Sequence, residues 1–503
     1  MKKLSLNIIT SVVGFSILSV ASLLLLFNLP ITTATEKTEQ TNTTNNSTTI
    51  DKNNKTTRKY RKVTSMLRLS PKNETGEVQM DFAIGRSFFV NPWVIPPAST
   101  NARDGLGPLY NARTCQQCHQ GGGRGRAPEE NELMKRMLVR LSIPGKNTKT
   151  GSVPEPNYGS QFQIFGIQRS VNGFSSEAGT SHQNKAIGEA KITVKYKSIK
   201  GQYPDGQPYT LRQPDFIISD LSYGQLAKDV LQSPRIGPSL AGVGLINAIK
   251  ENDILALADP DDKNKDGISG RPNYVWSREK QKTMMGRFGL KANTPTLKQQ
   301  VADAFVNDIG ITSHIFPDEN CGSNQTACLK AENGKGPHTP HEISDELFDK
   351  VVTFVSHINT PKQYRSQISN KNRQQGQNDF HASGCSSCHH PSFTTSKDAA
   401  FKTFQSKKIS PYSDFLLHDM GKGLADNRPD FEASGQEWRT APLWGLAWRQ
   451  EQGKFNNYLH DGRAKTVEEA ILWHSGEAEK AKQTFMHLPK DRRDTLLEFI
   501  KSL

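Results

Sequence analysis

The chain has 503 residues, 34% of them hydrophobic and 23% charged, and carries a formal net charge of +14. That length suffices for two or three domains and a sizeable buried core. The positive charge is spread along the chain and no stretch interleaves aromatic with basic residues. This excludes a nucleic-acid-binding pattern and leaves solubility, attraction to an anionic membrane surface, or docking to an acidic partner.

In chain order, the first feature is a run from Ile8 to Leu29 that is almost wholly apolar, with no charge between Lys3 and Glu36. Lys2 and Lys3 precede it, so the positive-inside rule leaves the N-terminus in the cytoplasm and sends the rest of the chain out. The run is long enough to cross a hydrocarbon layer of about 30 Å. Residues 1–35 are therefore read as a signal peptide or an N-terminal membrane anchor of an exported, periplasmic protein. Residues 36–65, rich in Thr, Asn and Lys, have little to bury and read as a disordered polar tether.

Folded sequence is expected from Met66, with Met80–Val94 as a first apolar element. In Ala190–Ser222 the alternation of Ile192, Val194 and Tyr196, the turn "YPDGQPYTL" and then "PDFIISDLS" predict a β-hairpin. Asp259–Asn273 has the spacing of an EF-hand-type loop. Asp262, Asn264 and Asp266 take its first, third and fifth positions, Gly267 stands at the turn, and Ile268 offers its carbonyl. Asn273 stands where such loops place a bidentate Glu, so a self-capped Asp/Asn turn is the competing reading. Cys321 and Cys328 have no adjacent histidine and, in an oxidising compartment, fit a local disulfide.

Asp345–Ile358 predicts a helix with Leu347, Val351, Phe354 and Ile358 on one face. A polar run to Asn378 marks a boundary, giving domains over 66–370 and 371–503. In the second, Thr466-Val-Glu-Glu469 is a capping box that starts a helix. Val467, Ala470, Ile471 and His474 then share its buried face. The chain ends on a helix with Leu496, Phe499, Ile500 and Leu503 together. The expected fold is mainly α with a small β insertion, in two c-type cytochrome-like haem domains.

Four of the six cysteines lie in two CxxCH units, Cys115-Cys118-His119 and Cys385-Cys388-His389. Haem attachment needs two thiols to add across two vinyl groups and an imidazole to bind the iron from one side. CxxCH supplies all three within one turn. A Cys₄ zinc site built from both halves would leave both histidines unexplained. A dithiol oxidoreductase needs a thioredoxin-like βαβ context that is not visible. Two covalently bound haem c groups are therefore expected, with His119 and His389 as proximal iron ligands.

"PYSDFLLHDMGKGLADNR", "EWRTAPLWGL" and "YLHDGRAKTVEEAILWHSGEA" resemble the di-haem oxidoreductase family, whose members are often labelled thiol oxidoreductases and are related to bacterial di-haem cytochrome c peroxidases. The similarity runs from about Met66 onward. No thiol chemistry is derivable here, since four of six cysteines are assigned to haem. The resemblance implies a distal ligand for the second haem at His474, where the related peroxidases carry a Met. Met420 is the alternative, and His418 either ligates or only hydrogen-bonds. It implies calcium near the haem domains, for which the Asp262–Ile268 loop is the candidate.

After His119 there is no histidine until His182, and the stretch between begins "QGGGRGRAPEE", in which Arg124 and Arg126 are candidates for haem propionates. An open distal position at the first haem follows. The expected function is a periplasmic di-haem oxidoreductase. Electrons from a small cytochrome or other donor enter at the C-terminal haem, and a small oxidant, hydrogen peroxide first, is reduced at the N-terminal haem. The alternative is an electron-transfer cytochrome without peroxidase turnover, for example in periplasmic iron handling. The sequence names no acid/base residues.

Overall fold

The computed structural model describes residue 67 and residues 71–100, 102–167, 169–170, 173–174, 188–336, 340–360, 368–446 and 457–503. The apolar run at 8–29, the tether at 36–65 and His182 lie outside the described residues. No described helix is long and apolar enough to cross a membrane.

The first helix, Gly76–Val90, starts where Thr75 accepts a hydrogen bond from the Val78 amide. It packs on the Asp345–Ser356 helix, whose own start is fixed by Ser344 accepting from Leu347. Phe354 is the hinge of this pair, with ring centroids 5.0 Å from Phe82 and 5.1 Å from Phe89. Gly85 permits the approach, since a Cβ there would stand 2.0 Å from the Lys350 carbonyl oxygen. Around them Phe88, Trp93, Phe305 and Phe348 close an aromatic core against which Cys115 packs.

The predicted hairpin is present and long. Lys191–Gln202 pairs antiparallel with Pro208–Ser219 over twelve residues. Its tip is anchored among C-terminal helices: Tyr203 and Leu211 join the buried cluster that holds Phe485 and Phe499. The Tyr203 hydroxyl donates to Glu468 (2.7 Å) and Arg493 pairs with Asp205 (2.7 Å). A second ladder joins Met137–Ser142 to Leu231–Ile236 and carries the chain past the first CxxCH. Cys321 and Cys328 are disulfide-bonded.

The polar run before Asn378 is a helix, Asn370–Ala382, capped by Ser369. It is buried through a glycine rather than an apolar stripe. A Cβ on Gly376 would lie 2.5 Å from Phe499 Cβ of the Lys490–Lys501 helix, and Asp379 pairs with Arg492 (2.8 Å) alongside. The described residues belong to one compact unit.

The expectation of a mainly α fold is not met. The described residues are 29% helix and 19% strand and hold seven two-stranded sheets. Apart from the hairpin and the second ladder, these sheets have strands of two to four residues. Such strands are too short for period-two alternation to stand out from loop sequence.

Candidate functional site: two CxxCH centres

At the first centre Thr114 caps the short helix Cys115–Cys118 through a reciprocal pair with Gln117 (3.1 Å each way). This presents both thiols on one turn and leaves His119 at its end. The imidazole Nδ1–H donates to the Pro238 carbonyl (3.0 Å). Gly237 forms the floor of its slot, because a Cβ there would stand 2.9 Å from His119 Cε1. Burial lowers the His119 pKa, so the ring is neutral, and its Nε2 has no partner among the described residues.

At the second centre His389 Nδ1–H donates to the Tyr412 carbonyl (2.9 Å), and the Ser413 and Asp414 amides bond back to the His390 and Cys388 carbonyls. Burial pushes His389 down to about 4, and His474 nearby adds to the shift. His474 stands just past the Val467–Leu472 helix, which Thr466 caps as predicted. Its Nδ1–H donates to the Ala470 carbonyl (2.6 Å). Both imidazoles are therefore neutral, and neither Nε2 has a partner among the described residues. Both line one cavity of about 400 Å³, together with Cys385, Cys388 and Met420. Val467, Ala470 and Ile471 share its wall with His474, as the helical spacing implied.

His418 also borders this cavity, but both of its nitrogens are spent. Nε2 donates to Asp414 (2.8 Å) and Nδ1 to Glu477 (2.7 Å). Glu477 further accepts from the Ser269 amide and hydroxyl and from the Asp419 amide. His418 thus hydrogen-bonds and has no lone pair left for a metal.

The thiols test what the centres can hold. Burial, with the Asp308 charge second, pushes Cys115 and Cys118 up to about 12. Burial likewise pushes Cys385 to about 12 and raises Cys388. A redox-active or metal-binding cysteine needs the opposite shift, towards thiolate. Half-buried neutral thiol pairs, each beside a neutral imidazole whose Nε2 has no partner among the described residues, fit covalent haem and do not fit dithiol exchange.

Two features escaped the sequence reading. Asp308 lies beside the first thiols, near enough for its charge to act on both. Gln161 Nε2 donates to it (3.0 Å), and burial raises it to about 6 against the pull of Arg140. The other feature is a stack of Trp438 on His460, ring centroids 4.0 Å apart and planes within 10°. Lys291, fully buried and paired with Asp426 (2.8 Å), sits over the Trp438 ring at 4.5 Å. The His460 carbonyl accepts from the Ile236 amide (2.8 Å), and the next residue is the glycine under His119. The two centres thus share a wall.

Of the two arginines in the glycine-rich loop, Arg126 is ion-paired to Glu132. Arg124 donates to the Leu459 carbonyl (2.7 Å) and borders the cavity of the second centre. In the 259–273 loop, Gly267 donates to Asp262 (3.2 Å), Asp266 to Asn264 (2.9 Å) and Ile268 to Asp266 (2.9 Å). Asn273 is turned away: it donates to the Lys291 and Asp430 carbonyls and accepts from the Glu432 amide. The loop's own side chains account for its shape.

Two separate Cys-Cys-His centres with half-buried, neutral ligating groups and a common wall define a two-centre redox protein. The chain belongs to the di-haem oxidoreductase family: the family described as "Di-haem oxidoreductase, putative peroxidase" matches residues 38–503. It is accordingly an oxidoreductase with haem cofactors. No curated protein matches the chain. Among solved structures, a hydrazine synthase from Kuenenia stuttgartiensis, pressurised with xenon, is 15% identical with a TM-score of 0.23. The match covers 37% of this chain and 63% of that one, and so slight a likeness carries no argument.

Proposed function

We propose that this is an exported di-haem c-type oxidoreductase that takes electrons at the second centre and reduces hydrogen peroxide at the first. Cys115 and Cys118, and Cys385 and Cys388, would each form thioethers with the vinyl groups of one haem, held by His119 and His389. Bound haem supplies one-electron redox chemistry and, where its iron has an open position, a site for a small oxidant. The observation that carries the reading is the asymmetry of the imidazoles. His474 stands near enough to His389 to shift its acid strength, whereas among the described residues only burial and two carbonyls act on His119.

A centre with two histidine ligands is closed and suits electron transfer; one with a single histidine can admit a ligand. Reduction of H₂O₂ to two waters consumes two electrons and two protons. The electrons would come from a small cytochrome or comparable donor in the periplasm, where the N-terminal segment sends or tethers the chain. Asp308 is the buried carboxyl placed to hold and pass protons at the first centre, oriented by Gln161 Nε2. The shared wall at Ile236–Pro238 and His460 shortens the path between the centres.

The test is haem content followed by steady-state turnover. Two covalent haems per chain and peroxide-dependent oxidation of a reduced cytochrome or dye are expected. Holoprotein without a Soret band removes the cofactor assignment. Two haems without peroxide turnover leave an electron-transfer cytochrome instead. Calcium at Asp262, Asn264, Asp266 and the Ile268 carbonyl is a lesser proposal. Because every side-chain oxygen of those three residues already accepts a hydrogen bond, binding is expected to be weak. Calorimetric titration of chelator-treated protein checks it, and no heat at millimolar Ca²⁺ removes it.

A further inference from the structure

The His418 clamp has a consequence beyond ruling out ligation. A ring whose two nitrogens each face a carboxylate oxygen at 2.7–2.8 Å makes both hydrogen bonds only when both nitrogens carry protons. His418 is buried, with 3% of its side chain exposed, and its Cε1 rests on Gly270, where a Cβ would stand 2.7 Å away. Its Nδ1 lies 3.7 Å from Cys388 Sγ. A fixed positive charge is thus held against one of the sulfurs that bind the second haem.

We propose that His418 is a positioning residue of the second centre whose protonated ring, acting through the Cys388 sulfur, raises that centre's reduction potential and favours electron entry there. The inference rests on haem being attached at Cys385 and Cys388. The neighbouring charges make its sign testable. Asp414 also accepts from the Leu416 amide, and Glu477 from the Ser269 and Asp419 amides. Both carboxylates therefore keep donors, and stay ionised, when the imidazole is changed.

Removing the cation and removing one anion should then move the potential in opposite directions. At an effective dielectric of ~20, a unit charge about 12 Å from a redox centre alters its equilibrium by about tenfold and a nearer one by more, and tenfold is about 59 mV for a one-electron couple. The experiment is spectroelectrochemical titration of the holoprotein, wild type against His418→Gln and Glu477→Gln, with haem content and low-spin spectrum recorded for each. At fixed ambient potential the reduced-to-oxidised ratio of the second haem should fall about tenfold in His418→Gln and rise in Glu477→Gln, with ligation unchanged. Shifts of one sign in both variants, or none, overturn the inference. Loss of the low-spin signal in His418→Gln would also overturn it, by making His418 a ligand. Absence of haem from the wild-type second centre would instead refute the reading on which it rests.

Discussion

Replacing Asp308 by Asn is expected to lower the second-order rate of peroxide reduction by ~10²–10⁴-fold, the range for loss of one general acid or base, while both haems and their spectra stay in place. Asp308 is half-buried, and its charge acts on both Cys115 and Cys118. Burial is the main influence on it and raises it to about 6; Arg140 and the Gln161 amide oppose that rise. At neutral pH it is mostly a carboxylate and, under the proposed function, would take the first proton from peroxide and return it to the departing oxygen. Below about pH 6 it is protonated and cannot begin. The wild-type rate should accordingly fall as pH drops through about 6, and the variant's weak activity should lack that limb. Asn keeps the shape and the oxygen that Gln161 bonds, so folding is little disturbed. Full activity with an unchanged pH profile in the variant would remove Asp308 from the mechanism.

How much of this was legible beforehand follows from the range of each signal. The CxxCH units, the Thr466 N-cap and the long hairpin are contiguous local patterns, and the structure contains each of them, although Glu469 accepts from the Lys465 amide and so does not complete the capping box. The two-residue strands at Leu109–Tyr110 and Phe393–Thr394 carry no alternation at all, and their pairing partners lie far along the chain. Their omission produced the mainly α expectation. Asn370–Ala382 was hidden for another reason. It buries a bare backbone at Gly376 and a paired Asp379 instead of an apolar stripe, so composition marked it as a linker.

The site divides in the same way. Groups named by motif were visible, whereas groups defined by what surrounds them were not. Asp308 is an ordinary aspartate in the sequence, and its raised acid strength comes from burial that only the fold supplies. Asp414 precedes His418 by one helical turn's spacing, a pairing that could have been noticed. Glu477, the other arm of the clamp, comes from beyond the Val467–Leu472 helix and could not. The same holds for Trp438 and His460, which meet face to face although only their separate motifs had stood out.

Substituting His474 by Gly should convert the second centre from six-coordinate low-spin to high-spin and slow donor-dependent turnover by at least about tenfold. The geometry gives the reason. The Ala470 carbonyl fixes the ring through Nδ1–H and leaves Nε2 as the basic nitrogen on the cavity shared with His389. That hydrogen bond raises ligand basicity and holds the ring in one orientation. Glycine removes the nitrogen and leaves a space that free imidazole fits. Added imidazole should therefore restore the low-spin signal and much of the electron-transfer rate, which a merely misfolded variant would not do. Met420 lines the same cavity, and its sulfur is the competing ligand, so Met420→Leu supplies the counter-test. Retention of the low-spin spectrum in that variant and its loss in His474→Gly assigns the ligand to His474. The reverse pattern assigns it to Met420 and leaves His474 as a wall of the pocket. EPR of the resting and half-reduced forms distinguishes the two, because a bis-histidine and a histidine–methionine iron give different low-spin signals.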